Sequence, residues 1–129
     1  SENIYLRNFM EIINQEQSVS NSVYILERCA GLFASVGSRF VNSGRSDSTD
    51  LGNRMIMMGV DFTFAAVKVA SSENLNVTIE NSTKESIEIG KIYSNIMDDN
   101  HRRTGNALTG QVVQDQEVCM VLYKSMQGN

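Results

Sequence analysis

The chain has 129 residues, 41% hydrophobic, 20% charged and 7% aromatic, with no proline and no tryptophan. That length suits one domain with a real core, and the composition excludes a disordered chain. A net charge of −4 and a pI near 4.9 exclude the basic face that nucleic acid or anionic lipid requires.

The spacing predicts a first helix over residues 1–17, SENIYLRNFMEIINQEQ, with Ser1 as N-cap and Ile4, Leu6, Phe9, Ile12 and Ile13 as its apolar face. SVSNS then interrupts the pattern, because short polar side chains compete for backbone hydrogen bonds. A second helix is predicted over residues 21–41, with Leu26, Cys29, Ala30, Phe33, Val36, Gly37, Phe40 and Val41 on one face. Asn42-Ser43-Gly44 ends it, Gly44 being suited to the left-handed position after a helix. RSDSTD offers capping oxygens on Ser46, Asp47, Ser48 and Thr49 for a third helix, and Asp50 suits the positive end of its dipole. Leu51, Met55, Met58, Phe62, Ala65, Ala66 and Val69 continue it as a stripe.

The apolar run over residues 55–70 is interrupted by Asp61 and Lys68. It also falls short of the ~20 residues a bilayer asks for, so a soluble chain without membrane insertion is expected. Residues 71–82 read as a connection, in which the alternation of Leu75, Val77 and Ile79 leaves a short extended segment open beside a loop or a continued helix. Thr83 is the expected cap of a fourth helix carrying Ile89, Ile92, Tyr93, Ile96 and Met97, which Thr104-Gly105-Asn106 stops. A fifth helix follows to Met126 on Leu108, Val112, Cys119, Leu122 and Met126. The pattern is an all-α, up-and-down bundle of four long helices plus an N-terminal helix, a single domain over residues 1–129.

In that order of helices the second and fifth are antiparallel neighbours, and both cysteines of the chain, Cys29 and Cys119, face inward. A disulfide between them closes a loop of about 90 residues, worth about 4 kcal/mol on the chain-entropy account, and places the protein in an oxidising compartment, periplasmic or secreted. The chain opens at Ser1-Glu2 with no apolar signal core, as a processed chain does. The alternative is two small buried hydrophobes in a reduced protein. Neither cysteine has a histidine in its own stretch for thiol catalysis, and two thiols do not make a four-ligand zinc site. Ala30, Ala34 and Ser38, four residues apart, let a neighbouring helix approach closely and read as core packing.

Asp115 interrupts the apolar stripe between Val112 and Cys119, and a carboxylate there needs a partner. It is expected to face residues 33–39 of the second helix, where Ser35, Ser38 or Arg39 would satisfy it. Asp61, beside Phe62, raises the same question. The single histidine, His101, stands with Arg102 and Arg103 at a helix end, where all three offset the negative dipole. The alternative there is an anion site built with backbone donors near Thr104.

Methionines 55, 57 and 58 in MIMM are soft enough for copper(I), yet two of them sit on the core stripe. Met10 and His101 could serve as haem ligands, but no CxxCH is present. Asn76-Val77-Thr78 and Asn81-Ser82-Thr83 are glycosylation sequons, and no phosphate loop, dinucleotide fingerprint, HExxH or calcium loop occurs. No cofactor, metal or enzymatic activity is therefore expected. The expected function is that of an extracytoplasmic bundle working through contact with a protein partner or with itself. The rival is a bundle holding a small ligand or haem between helices.

Overall fold

The structure, a computed structural model, describes residues 4–13 and 18–128, which form five α-helices and no strand. They are α1 (Leu6–Ile13), α2 (Val19–Val41), α3 (Ser46–Ser72), α4 (Ile79–Thr104) and α5 (Gln111–Met126). The proposed Ser1 cap and the side chains of Ile12 and Ile13 lie outside the described residues.

Several helix ends are set by hydrogen bonds that differ from the sequence expectation. Ser18 accepts from the Asn21 amide at 3.1 Å, so α2 starts at Val19, ahead of Asn21. Thr78 accepts from the Asn81 amide at 3.0 Å and caps α4 more than a turn before Thr83. The alternating Leu75, Val77 and Ile79 therefore form no strand, and Ile79 is the first residue of α4. At α3 the expected capping oxygens fall inside the first turn. Arg45 occupies the cap position without a side-chain capping bond, and the Thr49 hydroxyl donates to its carbonyl at 2.9 Å. Gly44 (φ 80°) and Gly105 (φ 78°) terminate α2 and α4 in the left-handed conformation that their lack of a Cβ permits.

α2 is the hub. α3 runs antiparallel to it, with Gly37 against Gly52 and Gly59 against Ala30, and Phe33 stacks on Phe62 with ring centres 5.7 Å apart. α4 runs parallel to it, with Gly31 against Ser86 and Gly90. A Cβ on Gly31 would lie 2.5 Å from the Ser86 carbonyl oxygen, and one on Gly37 would lie 2.7 Å from that of Gly52. Backbone meets backbone at both places, so neither tolerates a side chain without helix movement.

α5 crosses α2 obliquely. Its first half meets α4 where Tyr93 donates to Asp115, its middle is joined to α2, and its last turns reach α3 where Tyr123 packs on Phe62, ring centres 5.6 Å apart. The junction with α2 is the Cys29–Cys119 disulfide, whose Cα atoms are 5.6 Å apart. The core around it takes in Leu32, Phe33, Val36, Phe62, Tyr93, Met97 and Val112. A smaller cluster of Val23, Ala66 and Ala70 closes the other end of the α2–α3 pair. Leu51, expected on the buried stripe of α3, is exposed, and Leu108 packs on the core from the loop before α5.

By length and composition α3 is long and apolar enough to cross a membrane, contrary to the reading of residues 55–70 as too short. In the fold it lies along α2, and Met57, Val60 and Phe64 face outward.

Candidate functional site

Because α3 and α4 each press on α2 through glycines, they flank it and leave its Ala30–Ala34–Ser38 row between them. Ala30 is buried, but Ala34 is half-buried and Ser38 exposed. The row expected to be core packing thus becomes the floor of a groove of about 480 Å³. Ile56, Gly59, Val60, Thr63 and Phe64 of α3 form one wall. Ile79, Thr83, Ser86, Ile87, Gly90, Lys91, Ser94 and Asn95 of α4 form the other.

The walls carry large apolar groups in contact with water, with Phe64 and Ile87 each 53% exposed and Ile79 48%. The Thr63 hydroxyl donates to the Gly59 carbonyl at 3.2 Å and the Ser86 hydroxyl to that of Ser82 at 2.8 Å. Both polar atoms are thereby turned back onto their own helices, which keeps this part of the trough apolar.

Helix direction orders the groove from end to end. The start of α4 and the Phe64 region of α3 share one end, lined by Phe64, Ile79, Thr83 and Ile87. The other end holds Ser38, Lys91, Ser94 and Asn95, with Ile56 the large apolar group there. Lys91 is the single charged residue of the lining, and its ammonium pairs with Glu88 at 3.0 Å. The groove is apolar at one end and polar at the other.

A second polar constellation lies on the opposite side of α2. Asp115 is fully buried, as expected of its place in the stripe, but its partner is Arg28 and not Arg39. Arg28 Nη2 donates to Asp115 Oδ2 at 3.0 Å, and Arg28 Nε donates to the Tyr93 hydroxyl at 2.8 Å. That hydroxyl donates to Asp115 Oδ2 at 2.6 Å, the Leu6 amide donates to Oδ1 at 2.7 Å, and Arg28 also donates to the Ile4 carbonyl. Asp115 thus sits at the N-terminus of α1 and supplies the negative charge its first amides favour.

Burial drives the Tyr93 phenol far above its ordinary value, and Asp115 adds to this against the opposing Arg28. Burial acts to lower the Arg28 guanidinium, but Tyr93 and Asp115 outweigh it and raise the value. The cluster stays a protonated phenol bridging a fixed ion pair. It ties α1, α2, α4 and α5 together.

The expectation for Asp115 failed because α5 crosses α2 instead of lying beside residues 33–39. Arg39 lies at the surface and donates to Asp98 of α4 at 3.0 Å. Arg28 was legible as a charge three and four residues from Ile25 and Leu32, on the buried face of α2.

His101, Arg102 and Arg103 form the last turn of α4. Both arginines turn onto Asp99, at 3.1 and 2.9 Å, and do not converge on an open anion site. Asp61 accepts from the Tyr123 hydroxyl at 2.6 Å, which joins α3 to α5. In MIMM, Met55 is buried while Met57 is 60% exposed, so the sulfurs do not converge. Met10 lines a surface depression with Glu117 and Val118 of α5, whereas His101 is at the exposed end of α4. Asn76 and Asn81 of the sequons are both exposed. Among the described residues no group of three His, Cys, Asp or Glu could hold a metal ion.

Comparison with protein-family models, curated proteins and solved structures yields no match.

Proposed function

We propose that the protein is a non-enzymatic binding bundle of a periplasmic or secreted setting, and that it works by holding an apolar part of another molecule in the α3–α4 groove. The observation that carries this reading is the trough itself, a small-residue floor between walls whose Val60, Phe64, Ile79 and Ile87 remain exposed. A monomer seldom leaves so much contiguous apolar surface open without a binding role. The Cys29–Cys119 disulfide supports the compartment, since such bonds persist where the surroundings are oxidising. The non-enzymatic part is supported by the polar groups with shifted titration, Arg28, Tyr93, Glu27 and Tyr123, which do not line the groove.

A protein partner offering an apolar helix is the second reading, favoured by Met57, which carries the apolar surface of α3 beyond the groove. The test of the groove is anilinonaphthalene sulfonate fluorescence with the oxidised protein. Enhanced emission is expected, reduced in Phe64→Asp and Ile87→Asp and retained in Val121→Asp on α5. Emission that follows Val121 and ignores the groove variants refutes the reading.

A further inference from the structure

We infer that the groove takes a single-chain anionic amphiphile of the fatty-acid class, its tail between Phe64 and Ile87 and its carboxylate beside Lys91, Ser94 and Asn95. This rests on the reading of the groove as a binding site and specifies what fills it.

The first argument is the direction of the polarity gradient. An amphipathic helix is apolar down one whole side and so prefers a trough apolar throughout its length. This groove instead changes along its axis, from Phe64, Ile79 and Ile87 to Ser38, Lys91, Ser94 and Asn95. A molecule apolar over most of its length and polar at one tip matches that gradient.

Dimensions give the second argument. Ile79 and Asn95 are 16 residues apart on α4, about 24 Å at the helical rise. The tails of one lipid leaflet fill about 15 Å, half of a bilayer core. Tail and head therefore fit end to end. The volume of about 480 Å³ also falls in the range of small-ligand sites.

The third argument is chemical. The tail end offers no charge, Thr63 and Ser86 there have their hydroxyls occupied, and Thr83 is its other polar residue. The head end has one cation, Lys91, which is 65% exposed and already shares its charge with Glu88. A cation so exposed selects among head groups weakly, so the tail supplies most of the affinity.

The test uses the full oxidised chain with octanoate, decanoate and dodecanoate below their micellar concentrations, read by calorimetry and by dye displacement. Affinity is expected to rise about fourfold per added methylene. The acids should bind several-fold tighter than the matching alcohols, and Lys91→Gln should erase that difference while keeping the chain-length dependence. Ala34→Phe, which raises the floor, should weaken binding at least tenfold. Ile87→Asp serves the same purpose from the exposed wall should Ala34→Phe not fold.

No rise with chain length, binding untouched by both groove variants, or equal affinity for acids and alcohols each overturns the inference. Dye binding in the groove that none of the acids displaces overturns the amphiphile and leaves the groove reading standing. Absence of both dye and acid binding ends the two together.

Discussion

The carboxylate of Asp115 accepts from an amide of α1, a phenol of α4 and a guanidinium of α2, so neutralising it removes the negative member of the buried pair with Arg28. Asp115→Asn is expected to cost about 3–5 kcal/mol, the range for breaking a buried pair from one side. Asp98→Asn, which removes the exposed partner of Arg39, should change stability by less than about 1 kcal/mol. Urea unfolding of the two variants compares them directly, and equal losses would contradict the assignment of Arg28 as the buried partner.

Glu27 carries the pH argument at this scale. It is buried on α2, burial raises its carboxyl above the ordinary 4.5, nearby Ser82 lowers it somewhat and Glu85 raises it. Ser82 Oγ, itself buried, has no partner within hydrogen-bond geometry, so its help to the Glu27 anion is small. A carboxyl whose folded value is raised contributes fully below its unfolded value and loses that stability as pH rises through the folded value. Glu27→Gln should therefore match the wild type near pH 4 and melt higher than it at pH 7. A variant that melts lower at pH 7 would contradict the buried, strained carboxyl.

Among the elements, the α2–α4 contact depends on Gly31. Alanine in a helix interior is normally favoured over glycine by about 1 kcal/mol. At Gly31 the new methyl would stand 2.5 Å from the Ser86 carbonyl oxygen and 2.9 Å from the Gly90 nitrogen, both backbone, so the helices must part. Overpacking of this kind costs about 1–3 kcal/mol and more where backbone must shift. Gly31→Ala is expected to lower stability despite its better helix propensity, whereas Gly44→Ala, with nothing near it, is penalised only for its positive φ. Thermal melts of both decide the point, and a stabilised Gly31→Ala would show that α2 and α4 are less tightly seated. The sequence supports helices here through periodicity, but only the neighbouring backbone distinguishes Gly31, which meets α4, from Ala30, which floors the groove.

For the whole molecule, the disulfide joins α2 to an α5 that otherwise crosses it at a few places. A cross-link spanning 90 residues removes about 4 kcal/mol worth of unfolded-state freedom, a large part of the ~5–15 kcal/mol total expected of a domain. Reduction should lower the denaturant midpoint steeply. It should also raise hydrogen exchange first in α5 and in α1, since Asp115 on α5 holds the first turn of α1. Uniform loosening of all helices on reduction would contradict this order. The oxidised state is checked by mass measurement with and without reductant.

How much was legible follows from which forces act locally. Helical periodicity, the absence of proline and the left-handed stops at Gly44 and Gly105 depend on nearby residues, so the all-α order and the inward-facing cysteines could be read from the chain. Helix starts were less legible because Ser18, Thr78 and Thr83 are chemically equivalent caps, and packing selects among them. The partner of Asp115 and the openness of the Ala34–Ser38 row depend on the angle at which α5 crosses α2 and on how far α3 and α4 stand apart. The spacing follows from the glycine contacts of α2 with α3 and α4, and the crossing from the disulfide and the Tyr93 and Tyr123 hydrogen bonds, all between residues distant in sequence, where no periodicity carries the information. Local pattern alone established a bundle of helices with two inward-facing cysteines. The tertiary structure alone decided that its acid meets Arg28 and that its small residues line a groove, because both follow from where helix surfaces come together in space.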